Sequence, residues 1–415
     1  MSDVDLIIIG AGAAGLAAAR AATQNRLSYL LLEASHRIGG RAYTEELAPG
    51  IPFDLGCHWM HSASQNPFVK IADALGFHYH RSGRWRANAF MNGRWMTEAE
   101  NDAISALGEA NDAAIERSVA RGEDIAVADL VDHDQLGSAF QAYWFTLYTS
   151  SDMDQVSAAD VANYTDTGEN WPVQEGYGAL VARWAGDVPV SLNAAATHIR
   201  WGKDGVVVET AKGTVRGRKL LLTVSTNLLA SGRITFDPPL PDWKIDAASN
   251  LPLGVHNRIG IKLAHNPFGP ETPASATIEA QKDAPPMAIQ LRPFGMDYVV
   301  GVTGGRHGAW LEDAGTAASV ATLTDHLVAA FGSDIRKALT ERTIVTAWKD
   351  DPWTLGAYSI ATPGNAHQRA ELARPIDDIL FFAGEATSPS HFSTCHGAYL
   401  SGIAAIDKIR NSFGR

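Results

Sequence analysis

The chain has 415 residues, 46% hydrophobic and 19% charged, enough apolar chain for two or three domains with large cores. Its formal net charge of −12 and the lack of a basic stripe argue against nucleic acid as a partner. Two cysteines, Cys57 and Cys395, imply neither a disulfide framework nor a zinc cluster; no run reaches transmembrane length, and the first strand starts too near Met1 for a leader, so a cytoplasmic protein off the membrane and without metal is expected.

Leu6-Ile7-Ile8-Ile9 reads as a buried parallel strand, followed at once by Gly10-Ala11-Gly12-Ala13-Ala14-Gly15 and an alanine-rich helix from Leu16 to Ala22. Gly10 suits a tight turn, Gly12 a close approach of backbone to a pyrophosphate, and Gly15 close packing of helix on strand. Helix N–H groups, Ala14 included, would face the phosphates. A second apolar strand, Tyr29 to Leu32, ends in Glu33, where an acid can bond the ribose hydroxyls of an adenine dinucleotide. The fingerprint leaves nicotinamide and flavin both open.

Arg37-Ile38-Gly39-Gly40-Arg41 then places two guanidinium groups, each a planar fork suited to phosphate, around another glycine turn. Glu33-Ala34, Arg37 and Gly39-Gly40-Arg41 together resemble the flavin amine oxidase family, which includes monoamine, polyamine and L-amino-acid oxidases. The resemblance implies FAD, with Arg37, Gly40 and Arg41 near its pyrophosphate. It also implies an α/β architecture: a Rossmann-like FAD-binding domain with a second α+β substrate-binding domain, as in p-hydroxybenzoate hydroxylase. The expected division is 1–67, 188–250 and 346–415 for the FAD domain, and 68–187 and 251–345 for the substrate domain.

Pro52 to His61 combines glycine, aromatic and imidazole groups and resembles the family segment lining the flavin and substrate cavity. His61 matches a position where several polyamine oxidases carry histidine; His58 and Trp59 are candidates for the pocket, with ordinary loop histidines as the alternative. From Phe68 to Arg183 helix-like segments dominate, among them Glu98 to Ser118 and Gln135 to Tyr148, as a mostly helical insertion beside the site. Tyr143, Trp144, Phe145 and Tyr148 are expected to pack in a core. Glu169-Asn170-Trp171 and Glu175-Gly176-Tyr177-Gly178 are expected at the pocket rim, where Glu175 could hold an ammonium.

Val188 to Leu192, Val206 to Glu209 and Lys219 to Val224 read as strands. The stretch from Val190 to Ile199 resembles the family segment that meets the adenine, with Ala196 at its usual valine. Asp237-Pro238-Pro239-Leu240-Pro241 is turn chemistry, marking a passage to the second domain. Beyond it, Ile259, Ile261 and Leu263 alternate with Arg258, Gly260 and Lys262, which period two assigns to opposite faces. The family normally carries at Arg258 a lysine whose ammonium binds a water near flavin N5 and assists reoxidation. Three readings stay open: Arg258 takes over with its fixed charge, Lys262 or another group does, or oxygen is a poor acceptor. A solvent-facing position is expected for Lys262. Tyr298 to Val302 reads as a strand and Ala317 to Phe331 as a helix.

Trp348, Asp351-Pro352-Trp353 and Gly356-Ala357-Tyr358-Ser359 resemble the run leading to one wall of the family's aromatic cage, with Trp353 on the cofactor side. Tyr358 is the matching aromatic, able to steer an amine by shape and weak cation-π attraction. Ala357 stands where monoamine oxidases attach flavin through cysteine, so non-covalent FAD is implied. Ile379 to Thr387 resembles the second FAD motif, with Gly384 and with Glu385 at the ribitol. The run from Thr394 through Cys395, His396 and Gly397 to Gly402 opens a helix whose N-terminus would stabilise charge on flavin N1 and O2. It looks more like polyamine oxidases, Thr394 replacing the second cage tyrosine and His396 being a pocket candidate. The tail Asn411-Ser412-Phe413-Gly414-Arg415 is polar.

The resemblance therefore implies an amine oxidase acting on a polyamine or its acetylated form: hydride from the α-carbon to flavin N5, imine hydrolysis, and return of electrons to O2 as H2O2. Protein groups supply orientation and electrostatics. Two alternatives remain: an L-amino-acid oxidase with Arg258 on the substrate carboxylate, and a flavoprotein or dehydrogenase using an acceptor other than oxygen.

Overall fold

Side chains of the first strand, Val4–Ile9, divide by alternation between two apolar layers. Leu6 and Ile8 join the layer made with the Ala13–Gln24 and Cys395–Phe413 helices, while Ile7 and Ile9 join the layer with Ala247, Ala248 and Leu372. A strand covered on both faces is hydrophobic throughout, as this one is. The computed structural model describes residues 3–81, 88–282 and 284–414. Arg415, at the end of the polar tail, lies outside them.

Val4–Ile9 pairs in parallel with Tyr29–Leu32 on one side and with the second half of Gly213–Leu222 on the other. Leu380–Phe382 continues the parallel order, Leu220 lying opposite Leu380. The first half of Gly213–Leu222 instead pairs antiparallel with Gly205–Thr210, which leads to Ala196–Gly202 and Thr235–Asp237 to complete seven strands. The fold is thus a Rossmann-like unit with a meander added at one edge.

The second sheet also has seven strands, in the order Leu339–Val345, His256–Leu263, Tyr298–Gly304, Met287–Leu291, Ser275–Ile278, Ala89–Met91 and Arg94–Trp95. Ile259, Ile261 and Leu263 face a core with Leu323 and Leu327 of the Thr316–Phe331 helix, as period two requires. The opposite face carries His256, Arg258 and Gly260. Phe53 lies over Gly260 so closely that a Cβ there would clash with its ring.

Four local expectations are corrected. Val188 to Leu192 is not a strand but an extended passage with a single bridge, Ser191 to Leu32; Pro189 has no N–H with which to continue a ladder. The strand expected over Lys219 to Val224 runs from Gly213 to Leu222, and the helix expected from Gln135 starts at Ser138, after left-handed Gly137. The 68–183 region, read as nearly free of strands, contributes Ala89–Met91 and Arg94–Trp95 to the second sheet.

The first and last helices touch through Gly402, where a Cβ would overlap the carbonyl of Ala14. A Gly402→Ala variant is therefore expected to lose ~1–3 kcal/mol of stability and to retain less flavin, whereas Gly269→Ala, with open space around it, should unfold like the parent. Thermal denaturation with flavin content measured on the same samples checks both; equal behaviour of the two variants would contradict the packing account.

Candidate active site

The cradle begins at the N-terminus of the Ala13–Gln24 helix, whose cap is Gly12 with no side chain satisfying the first turn. Those orphan N–H groups face the cavity, where Gly10, Gly12, Ala13 and Ala14 form one wall. Gly10 needs its glycine for a φ of +101°. Gly12 has an ordinary φ, but the nearest atom to a Cβ there would be Gly39 O at 3.9 Å, so a side chain would fill the cradle itself.

Glu33 closes the far end. Its Oε2 accepts from Ala11 N at 2.7 Å and its Oε1 from Ser35 N at 2.8 Å, which fixes the carboxylate and leaves a lone pair on each oxygen for a ribose hydroxyl. Arg37 lies 3.7 Å over the Tyr43 ring and donates to Gly40 O at 2.7 Å. Arg41 donates to Ala357 O at 2.6 Å and to Glu385 Oε1 at 3.0 Å. An uncapped helix end, two guanidinium groups and a fixed acid at the far end suit a dinucleotide pyrophosphate and ribose, so the residues present fit FAD. With Ala357 before Tyr358, no thiol stands at that point to bind it covalently.

Beneath the cradle lies a buried ionic network. Arg369 is 1% exposed and forks onto Asp160 at 2.6 and 2.7 Å. It also donates to Ser359 Oγ at 2.9 Å, and Ser359 Oγ donates to Glu385 Oε2 at 2.7 Å. Burial alone would push the Glu385 carboxyl up; the charges of Arg41 and Arg369, with bonds from Ser359 and Ser393, hold it below its ordinary value. A paired, hydrogen-bonded arginine of this kind is costly to break, because its partner is left charged and buried.

The second sheet supplies the opposite wall. The Tyr358 hydroxyl donates to Leu147 O and lies 2.8 Å from His256 Nδ1, which must then be the donor, so the ring is held by two elements. His61 Nδ1 meets Asn170 Oδ1 at 2.5 Å and His58 Nδ1 meets Asp54 Oδ2 at 2.9 Å. Oxygen acceptors at Nδ1 place the proton there and leave Nε2 as an acceptor. Burial keeps all three imidazoles neutral: it lowers His58 and His61, and brings His256 down to about 3, assisted by the charge of Arg258. Arg258 is 2% exposed, sits over Phe53 and Trp59 at 5.5 and 5.7 Å, and its Nε has no hydrogen-bond partner.

These walls enclose one cavity of about 2020 Å³. Of the residues singled out from sequence, it is lined by Gly10, Gly12, Ala14, Glu33, Arg37, Gly40, Arg41, Ala196, Trp353, Gly384, Glu385 and Thr394, together with His58, Trp59, His61, Arg258 and Tyr358. Gly15 lies behind it, where a Cβ would collide with Gly10 O. Glu175 is not brought to the cavity: it pairs with His78 at 2.6 Å near the surface. Nor is His396, which is buried in the first turn of the last helix against the His391 ring. Of the aromatic residues expected in a core, Tyr143 is buried, its hydroxyl donating to Val302 O, and Trp144 and Phe145 pack against apolar clusters while their other sides line the cavity; Tyr148, 63% exposed at the cavity, is the correction.

Residues not singled out from sequence include His256, which shares a strand face with Arg258 two positions on, and Asp112 and Asp166 at the cavity's Tyr148 side. Period two could have found His256. Arg369 and Asp160 carry no local signal, being joined only by the fold.

A family model described as flavin containing amine oxidoreductase matches residues 81–409, and one for an NAD(P)-binding Rossmann-like domain matches residues 8–75. Polyamine oxidase 4 of Oryza sativa subsp. japonica is 27% identical over 446 residues, covering 99% of this chain and 89% of the relative. Lysine-specific histone demethylase 2 of Homo sapiens is 28% identical over 441 residues, covering 97% of this chain and 53% of the relative. The fold is shared with cyclohexylamine oxidase from Brevibacterium oxydans at a TM-score of 0.80 and 20% identity over 100% of both chains. It is shared as well with putrescine oxidase bound to putrescine, at 0.79 and 19% identity over 98% of this chain and 99% of that one. The chain belongs to the flavin-containing amine oxidoreductase family, as an FAD enzyme acting on amines.

Proposed function

We propose that the enzyme oxidises a polyamine or related amine at a C–N bond with O2 as electron acceptor, in the cytoplasm. The observation that carries this reading is a single cavity of about 2020 Å³ in which the dinucleotide cradle, the Tyr358 ring and the acids Asp112 and Asp166 share one space. That volume exceeds the roughly 300–1,000 Å³ of a single small-molecule pocket and suits a cofactor and a long substrate together. The accompanying division assigns 1–67, 188–250 and 346–415 to the FAD domain, and 68–187 and 251–345 to the substrate domain.

Bound FAD would be the electron sink for the amine's α-C–H bond, with O2 restoring it and peroxide leaving. The amine must be in its neutral form before that bond can be oxidised, and His61, held neutral by burial with Nε2 left as an acceptor, orients the neutral amine by accepting its N–H. Tyr358 fixes the amine against the cofactor by shape, its ring immobilised through His256 and Leu147. Arg258 contributes a positive charge that does not titrate near neutrality, in place of the family's lysine. The imine product hydrolyses in water. A second reading has one specific observation in its favour: the partnerless Nε of buried Arg258 is a donor for a substrate carboxylate, as an amino acid would present.

Anaerobic mixing of the yellow protein with spermidine, spermine, N-acetylated polyamines, monoamines and amino acids separates these readings. Fast bleaching by a polyamine and rapid recolouring in air are expected; bleaching confined to amino acids would replace the substrate, and slow recolouring would replace the acceptor. Arg258→Met should slow recolouring more than bleaching. Loss of a charge-assisted interaction of ~1.5–3 kcal/mol corresponds to about 10- to 100-fold. Equal slowing of both steps would remove the oxygen role.

The buried imidazoles also set an acid limit. His256 and His396 are lowered to about 3 from 6.5, mainly by burial, so the unfolded chain binds more protons between those values. Their contribution to stability is complete above pH 6.5 and is lost as pH falls toward 3. Melting temperature should therefore drop on acidification from pH 7 to 4.5, less steeply in a His396→Gln variant. Parallel profiles of variant and parent would contradict this.

A further inference from the structure

Tyr358, on the amine side of the cavity, and Glu385, on the cofactor side, belong to separate turns, and one buried ion pair reaches both. Arg369 lies in the Gln368–Ala373 helix and Asp160 in the Ala158–Asn163 helix of the insertion. Besides its fork onto Asp160, Arg369 donates to Ser359 Oγ at 2.9 Å, to Ser359 O at 3.3 Å and to Ala386 O at 3.2 Å. Five bonds thus leave its three nitrogens, as many as a guanidinium has N–H donors. The Phe392 ring covers its face at 3.7 Å. A fork so filled has no donor left for a ligand, so it acts through the groups it holds.

Those groups bracket the site. Asp160 Oδ2 also accepts from Ala361 N at 2.9 Å, and Ser157 N donates to Ala361 O at 2.9 Å, so the insertion grips the segment just after Tyr358. Ser359 in turn gives Glu385 its N–H, at 3.2 Å to Oε1, and its hydroxyl, at 2.7 Å to Oε2. The bond to Ala386 O pins the residue that follows Glu385.

We propose that Arg369 and Asp160 are positioning residues that set the Tyr358 ring and the Glu385 carboxylate relative to one another, and with them the amine relative to the flavin. The amine half of this rests on the role given to Tyr358 under the proposed function. The work needs a planar fork with fixed directions; a lysine ammonium carries the same charge on three freely turning donors and cannot replace it.

The test compares the parent holoprotein with Arg369→Lys, Asp160→Asn and the milder Ser359→Ala, which keeps the backbone bonds and removes the oxygen shared by Arg369 and Glu385. Hydrogen exchange is followed by mass spectrometry in a peptide spanning Tyr358 to Ala361, and anaerobic bleaching is followed over a range of spermidine concentrations. In Arg369→Lys and Asp160→Asn the amides of Ser359 and Ala361 should exchange on the order of tenfold faster. The limiting bleaching rate should fall about 10- to 100-fold, with little change in the spermidine concentration giving half that rate, because the amine still enters the same cavity. Ser359→Ala should show the same split in smaller measure, and it decides the matter if the other two do not fold. Exchange and limiting rate like the parent's in Arg369→Lys would reduce the pair to a charge and overturn the proposal, as would a loss confined to the half-saturating concentration. If spermidine bleaches no protein, the parent included, the polyamine reading is at fault, and the exchange measurement still decides whether the pair holds the segment after Tyr358.

Discussion

The close approach of the first and last helices is the constraint on which the site depends. Gly402 lies on the Ala14 carbonyl, and Gly15 lies on Gly10 O, so helix, helix and strand are packed with no room for a side chain between them. That contact brings two helix N-termini, at Gly12 and Thr394, to the same cavity. The Gly12 end is uncapped, and at the other Thr394 Oγ1 takes one N–H, that of Gly397; both ends carry the positive pole of a helix toward a cofactor with negative charge on its pyrophosphate and, when reduced, on its ring. A spacer of one methyl group at either glycine would separate the cradle from the catalytic end.

Charge around this frame is arranged unequally. On the cofactor side, Arg369, Asp160, Ser359, Glu385 and Arg41 form a closed network in which each buried charge meets an opposite one. It ties the helical insertion, through Asp160, to the strand-to-helix turn that holds Glu385. On the substrate side the imidazoles are neutral and Arg258 has a partnerless Nε. Low local dielectric makes such a charge act strongly on whatever enters the cavity. The cofactor wall is thus built for rigidity, and the opposite wall for interaction with a changing occupant.

Much of this was legible because it was local. The Gly10 to Gly15 turn between two apolar runs announces its own strand and helix, and the alternation from Arg258 to Leu263 announces which face is apolar. What the alternation could not say is that the polar face meets a cavity and not water, since that depends on the first sheet lying across from it. The same limit applies to Tyr148, whose helix is apolar enough for a core but has one side left open. Glu175 was misplaced because an acid beside a pocket-like motif carries no information about His78, its actual partner. Val188 to Leu192 has strand composition, and Pro189 was the overlooked reason it forms only one bridge.

The central claim is that amine and cofactor meet in one cavity. Titration of the oxidised holoprotein with a quaternary ammonium analogue of a diamine, which cannot be deprotonated for oxidation, tests it most directly. The account predicts a saturable shift of the flavin's visible absorption band, competitive with the oxidised substrate. Binding detected by calorimetry with no change in that band would place the amine elsewhere and contradict the account.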